Sequence, residues 1–120
     1  MLEAWLEYHR VTLLLKCEGL DDAGRKSRPV PSSKLSLHGL VRHMAEVERN
    51  WFGRVLLEND APPIWYAAAV DDSELVPLDD ADWVADLAAF LEECDSSRAA
   101  AEGHDLDFAG PRRGEPCSLR

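Results

Sequence analysis

The chain has 120 residues, 46% of them apolar and 30% charged, the balance of a folded globular protein with one core and not of a disordered segment. Thirteen basic residues stand against 23 acidic ones, for a formal charge of -10, so the long-range field repels nucleic-acid phosphates and anionic lipid surfaces. No apolar run approaches the ~20 residues that cross a bilayer, and MLEAWLEYHR carries no basic leader or cleavage site, so the expectation is a cytoplasmic protein with residues 1–120 as a single helical domain.

A first helix is predicted over residues 2–20. Leu2, Leu6, Leu13, Cys17 and Leu20 recur at helical spacing, with Trp5, Leu14 and Leu15 widening the stripe. Gly19 suits the left-handed turn that ends a helix, and GLDDAGRKSRPVPSS has the glycine, proline and serine density of a loop. The second helix starts at Ser36, whose hydroxyl can accept from first-turn amides, and runs to about Glu58 with the stripe Leu37, Leu40, Met44, Val47, Trp51 and Val55. NDAPP ends it, because proline has no amide to donate.

IWYAAAVDDSELVPL reads as a long connection, with a short helical turn as the alternative. The acids of LDDADW complement the positive end of a third helix, which Asp79 or Asp80 can cap. Trp83, Leu87, Phe90, Leu91 and Cys94 form its stripe, and it runs out near Gly103. GPRRGEPCSLR reads as a loop and then a helix start, with Ser118 as cap and Leu119 as first apolar contact. No stretch alternates with the period of a strand, so the fold class is all-α. It is an up-and-down bundle of three long helices with room for a fourth, whose stripes close on one another or are covered by a partner chain.

Cys17, Cys94 and Cys117 are odd in number and far apart, which suits reduced thiols; Cys17 and Cys94 read as core residues. The acids of EGLDD, DDSE, LDDADW and EECD read mostly as solvated helix ends and loops. Gly-rich phosphate loops, HExxH, CxxC and nucleophile-elbow patterns are all missing from the sequence.

His43 is the residue with most chemical promise. It falls three residues after Leu40 and four before Val47, so at ~100° per residue it borders the stripe and is expected to point inward, with Glu46 and Asn50 on its face. Two readings stand: a metal ligand built into the bundle, or a neutral imidazole hydrogen-bonded to a carboxylate or carbonyl, which spacing alone favours. His38 is rotated by ~140° from His43 and reads as a surface residue. His9 can face the same interior, in a packing role before a ligand role, and His104 reads as solvated. Trp65, in a connection, is the tryptophan best placed to line a pocket. Arg112 and Arg113 could hold an anion, or simply pair with the acidic body.

YHRVTLLLKCEGLDD, RPVPSSKLSLHGLVRHMAEVERNWF, the PPIW connection, FLEECDSSR and PRRGEPCSLR together resemble the DinB superfamily of DinB/YfiT-like metalloenzymes, in a branch of actinobacterial type. The resemblance implies a four-helix bundle, usually a homodimer, with a divalent metal, often zinc or nickel, bound by three histidines. One of the three matches His43; the others belong to a fourth helix that would follow Ser118, Leu119 and Arg120. The expectation is therefore a C-terminally shortened chain that does not complete the site alone. Some relatives use mycothiol or bacillithiol as thiol cofactors, as transferases or maleylpyruvate isomerases acting on small molecules. The implied function is a metal-dependent, thiol-using enzyme; the alternative is a non-catalytic helical protein acting through dimerisation.

Overall fold

The computed structural model describes residues 2–65, 74–75 and 78–104, together with the backbone of 109–112 and 115–118. Its elements are α1 (Leu2–Cys17), α2 (Asp22–Lys26), α3 (Leu37–Glu48), a π-helical continuation of α3 (Arg49–Leu56), α4 (Trp83–Glu102), and the short strands β1 (Ala109–Arg112) and β2 (Glu115–Ser118). The body is all-α, as expected. Helix ends fall close to their sequence signals: Gly19 has φ 77° just beyond α1, and Ser36 accepts from the Gly39 amide at 3.0 Å to cap α3.

Three local expectations are corrected. The stretch after Gly19 holds α2, started by the Asp21 side chain accepting from Gly24 N at 2.7 Å. α4 is capped by Asp82, not Asp79 or Asp80, its carboxylate accepting from Val84 N and Ala85 N. At the C-terminal end, where a loop and a helix start capped by Ser118 were expected, residues 109–112 pair antiparallel with 115–118. Ala109 lies opposite Ser118 and Pro111 opposite Pro116. Proline disfavours the helical conformation in the residue before it and fits an edge strand, so two prolines bias this segment toward extended backbone. Leu119 and Arg113 lie outside the described residues, as do the side chains of Arg112 and Cys117.

The core is formed by Val41 and Ala45 of α3, Phe90 and Cys94 of α4, and Cys17 at the end of α1, flanked by half-buried Leu13, Leu14, Leu37, Met44, Ile64, Trp65 and Trp83. Cys17 and Cys94 are thus core residues, as read. Along α3 the buried line is His38, Val41, Ala45 and Glu48, one residue out of step with the expected stripe of Leu37, Leu40, Met44 and Val47. The reason is chemical. Small Val41 and Ala45 face the core, the larger apolar side chains flank them, and His38 and Glu48 enter because each meets a partner of complementary character on another helix. In α4, Phe90 and Cys94 are buried as expected, but Leu91 is exposed and Asp86 is buried.

α1 departs furthest from a one-sided helix. Cys17 and Arg10 are its buried residues, while Leu2, Trp5, Tyr8, Val11 and Leu15 are all exposed. Its apolar residues therefore divide between two faces. α2 docks through Arg25, whose guanidinium lies 4.6 Å from the Trp83 ring centre, and Lys26, whose Nζ donates to Ala81 O at 3.0 Å. Those contacts hold it at the start of α4. Among the described residues no helix is long and apolar enough to cross a membrane.

Candidate functional site

His43 sits in the middle of α3, at the rim of the body and not inside it: its side chain is 45% exposed. This corrects the expected inward orientation and follows from the one-residue rotation of α3, which turns Val41 and Ala45 to the core instead. Its Nδ1 is 3.1 Å from Glu74 Oε1. Its Nε2 has no hydrogen-bond partner among the described residues.

Glu74 comes from the DDSE run, where acids were expected to be solvated, yet it is only 8% exposed. Its second oxygen, Oε2, is buried without a hydrogen-bond partner among the described residues. What allows this approach is Gly39. A Cβ there would come within 3.2 Å of Leu75 O and 3.4 Å of Leu75 Cα, so the missing side chain lets the 74–75 backbone lie close on the first turn of α3 without displacement. Nothing in the local pattern of DDSE signals such an approach.

Glu46, expected beside His43, is committed elsewhere. Its Oε1 accepts from Ile64 N at 2.7 Å and Trp65 N at 2.6 Å, anchoring the connection to α3. Trp65 is packed against the core, with the Arg42 guanidinium 5.0 Å from its ring centre. It therefore walls the α3 surface and is not free to line an open pocket.

His38 was read as a surface residue and is completely buried, 0% exposed. Its Nε2 lies 2.7 Å from Asp86 Oδ2, which also accepts from Arg42 Nε at 2.6 Å, and its ring meets Trp83 edge-on at 5.2 Å. Its Nδ1 is buried without a hydrogen-bond partner among the described residues. The carboxylate on α4 makes burial tolerable; a sequence stripe cannot show it, because the two residues are 48 apart. His9, expected to face the interior, is exposed on α1 and stacked with Trp5 at 6.0 Å between ring centres. His104 Nδ1 lies 2.9 Å from Ala100 O.

A cavity of about 190 Å³ opens elsewhere, between the π-helical stretch and α4, with Arg49, Phe52, Asn59, Glu93 and Ser97 in its wall. No histidine lines it. Arg49 is occupied there, its Nε donating to Glu93 at 2.8 Å and its Nη1 to Pro62 O at 2.6 Å. The Cys94 thiol is pushed up to about 11, chiefly by burial, and Cys17 is raised for the same reason, so neither is a ready nucleophile.

Among the described residues no three of His, Cys, Asp and Glu are grouped closely enough to hold a metal ion. His43 nevertheless has the features of one ligand arm: an unbonded Nε2 on a half-exposed ring and a carboxylate on its other nitrogen. No curated protein and no solved structure matches the chain. A family model described as mycothiol-S-transferase matches residues 1–120, in keeping with the DinB-type resemblance carried by the His43 segment. Since that match runs from the first residue to the last, the chain belongs to the mycothiol-S-transferase family, a DinB/YfiT-like family.

Proposed function

We propose that the protein takes part in metal-dependent transfer of a low-molecular-weight thiol, mycothiol being the thiol its family name indicates. The supporting observation is the half-exposed His43, with Nδ1 against Glu74 and Nε2 without a hydrogen-bond partner among the described residues. A divalent cation such as zinc or nickel, if held by His43, would supply Lewis acidity that lowers the pKa of a nearby thiol. In this reading His43 is one ligand of such a cation. Trp65, its backbone held by Glu46 and its ring covered by Arg42, packs against the helix that carries His43. In the transfer, the thiol sulfur forms a bond to an electrophilic carbon of a small acceptor, whose leaving group departs with the bonding electron pair.

The reading includes a homodimer, for which the exposed apolar face of α1 is the support. The alternative, a non-catalytic dimer with an incomplete metal site, draws on the same face.

The test is elemental analysis of the purified protein, followed by mycothiol consumption with an electrophilic acceptor. One equivalent of zinc or nickel and acceptor-dependent thiol loss are expected, with His43→Ala lowering metal affinity at least 100-fold while the helical circular dichroism is kept. Absence of stoichiometric metal from the wild-type protein would sink the enzyme reading and leave the dimer reading.

A further inference from the structure

The cavity between the π-helical stretch Arg49–Leu56 and α4 holds about 190 Å³, room for roughly six waters at ~30 Å³ each or for one ring of monosaccharide size. Uncommon backbone features frame it. Arg49–Leu56 is π-helical over 8 residues, a rare geometry that gathers at functional sites. Glu58, just beyond, takes the left-handed region at φ 53° without being glycine. The Asn59 side chain then lies on Gly53, where an added Cβ would come within 3.2 Å of Nδ2 and 3.3 Å of Oδ1. Both residues line the cavity.

The wall pairs its full charges and leaves hydrogen-bonding groups open. Each Glu48 oxygen accepts from one Arg10 nitrogen at 2.7 Å. Arg49 directs Nε and Nη2 to the same oxygen of Glu93, Oε1, at 2.8 and 2.6 Å, so Glu93 Oε2 has no hydrogen-bond partner among the described residues. Glu93, Ser96 and Ser97 stand at i, i+3 and i+4, on one face of α4. Neither serine hydroxyl is hydrogen-bonded among the described residues, although Ser97 is only 2% exposed. Asn59 accepts through Oδ1 from Ala61 N at 3.2 Å and keeps its Nδ2 donors. A charged ligand would be desolvated here without a counterion. A free carboxylate oxygen needs a donor and a free amide N–H an acceptor, and a hydroxyl group is both. We propose that this cavity binds a small neutral polyol, its hydroxyls hydrogen-bonded to Glu93, Ser97 and Asn59 and its C–H surface against Phe52. The proposal does not depend on His43, since no histidine lines the cavity.

The full chain, labelled with ¹⁵N, is titrated with glucose, sorbitol and glycerol while its backbone amide shifts are followed, with acetate and ethylammonium as charged controls. At least one polyol is expected to give saturable shifts confined to residues 49–61 and 93–97, and the charged probes to give none there. Ser97→Ala, which removes one hydroxyl from the wall, is expected to weaken that binding ~5-fold. Ser96→Leu, at an exposed position of the wall, is expected to block it with the helical circular dichroism kept, and decides the matter if Ser97→Ala does not fold. Shifts that rise linearly and scatter over the surface, the mark of an adventitious additive only, overturn the proposal. So do silence from all three polyols, acetate or ethylammonium binding as tightly as they do, and a titration unmoved by the serine substitutions.

Discussion

At Asp86 a single carboxylate oxygen takes hydrogen bonds from two residues of another helix, His38 at 2.7 Å and Arg42 at 2.6 Å. The neutralisation is mutual, since Asp86, His38 and Arg42 are 8%, 0% and 12% exposed. Removing one member of such a buried set is far costlier than the set is worth, because the others stay desolvated without an acceptor. Asp86→Ala is therefore expected to destabilise the fold by about 3–5 kcal/mol, read as a lowered urea midpoint, whereas exposed Asp95→Ala in the same helix should change it by under ~0.5 kcal/mol. Equal midpoints for the two variants would show that the Asp86 cluster contributes nothing to stability. Neither His38 nor Asp86 was legible as a core residue, because their burial depends on a partner that no local pattern names.

Between elements, α1 is joined to the body by charge as much as by apolar contact. Arg10 spans from Glu7 on its own helix to both oxygens of Glu48 on α3, at 2.7 Å each, and Arg98 of α4 grips the two oxygens of Glu7 at 2.8 and 2.9 Å. Hydrogen bonding from Arg98, with Arg10 behind it, holds the Glu7 carboxyl down at about 2, against an ordinary 4.5. A carboxyl whose folded pKa is depressed contributes stability above its unfolded value and loses it as pH falls through the folded one. The Glu7 contribution is thus present above about pH 4.5 and fades between there and pH 2. Because Glu7 is 40% exposed, solvent screening keeps it to about 1 kcal/mol or less. Glu7→Gln is expected to show a smaller loss of urea midpoint between pH 6 and pH 3 than wild type; parallel pH curves would remove the pair from the account. Helical spacing placed Leu6, Leu13 and Cys17 on one face of α1, but the apolar face on the other side hid the role of Arg10.

For the whole molecule, the outward face of α1 is the largest departure from a closed bundle. Trp5 and Tyr8 are 59% and 61% exposed, and with His9 they form an aromatic cluster of edge-on and stacked contacts about 6 Å apart. In the proposed dimer this cluster meets a second copy. Two chains of formal charge -10 repel over the Debye length, ~10 Å at 0.1 M salt. Association is accordingly expected to tighten as salt rises, and Trp5→Glu to shift the protein to monomer, both measured by light scattering after size exclusion. A wild-type protein that is monomeric at all ionic strengths defeats the dimer.

By itself, the sequence determined the helical class, the extents of the three long helices to within a few residues, and the burial of Cys17, Phe90 and Cys94. Those properties follow from apolar period, caps and breakers, which act over one or two turns. It also marked His43, through the resemblance of its segment and not through its spacing. Tertiary structure decided the rest: which side of α3 turns inward, and which charges meet across helices. It alone brought the Leu75 backbone onto Gly39 and Glu74 against His43. Such pairings join residues 31 to 91 apart in sequence, and each partner offsets the desolvation cost of the other only after the chain has brought them together.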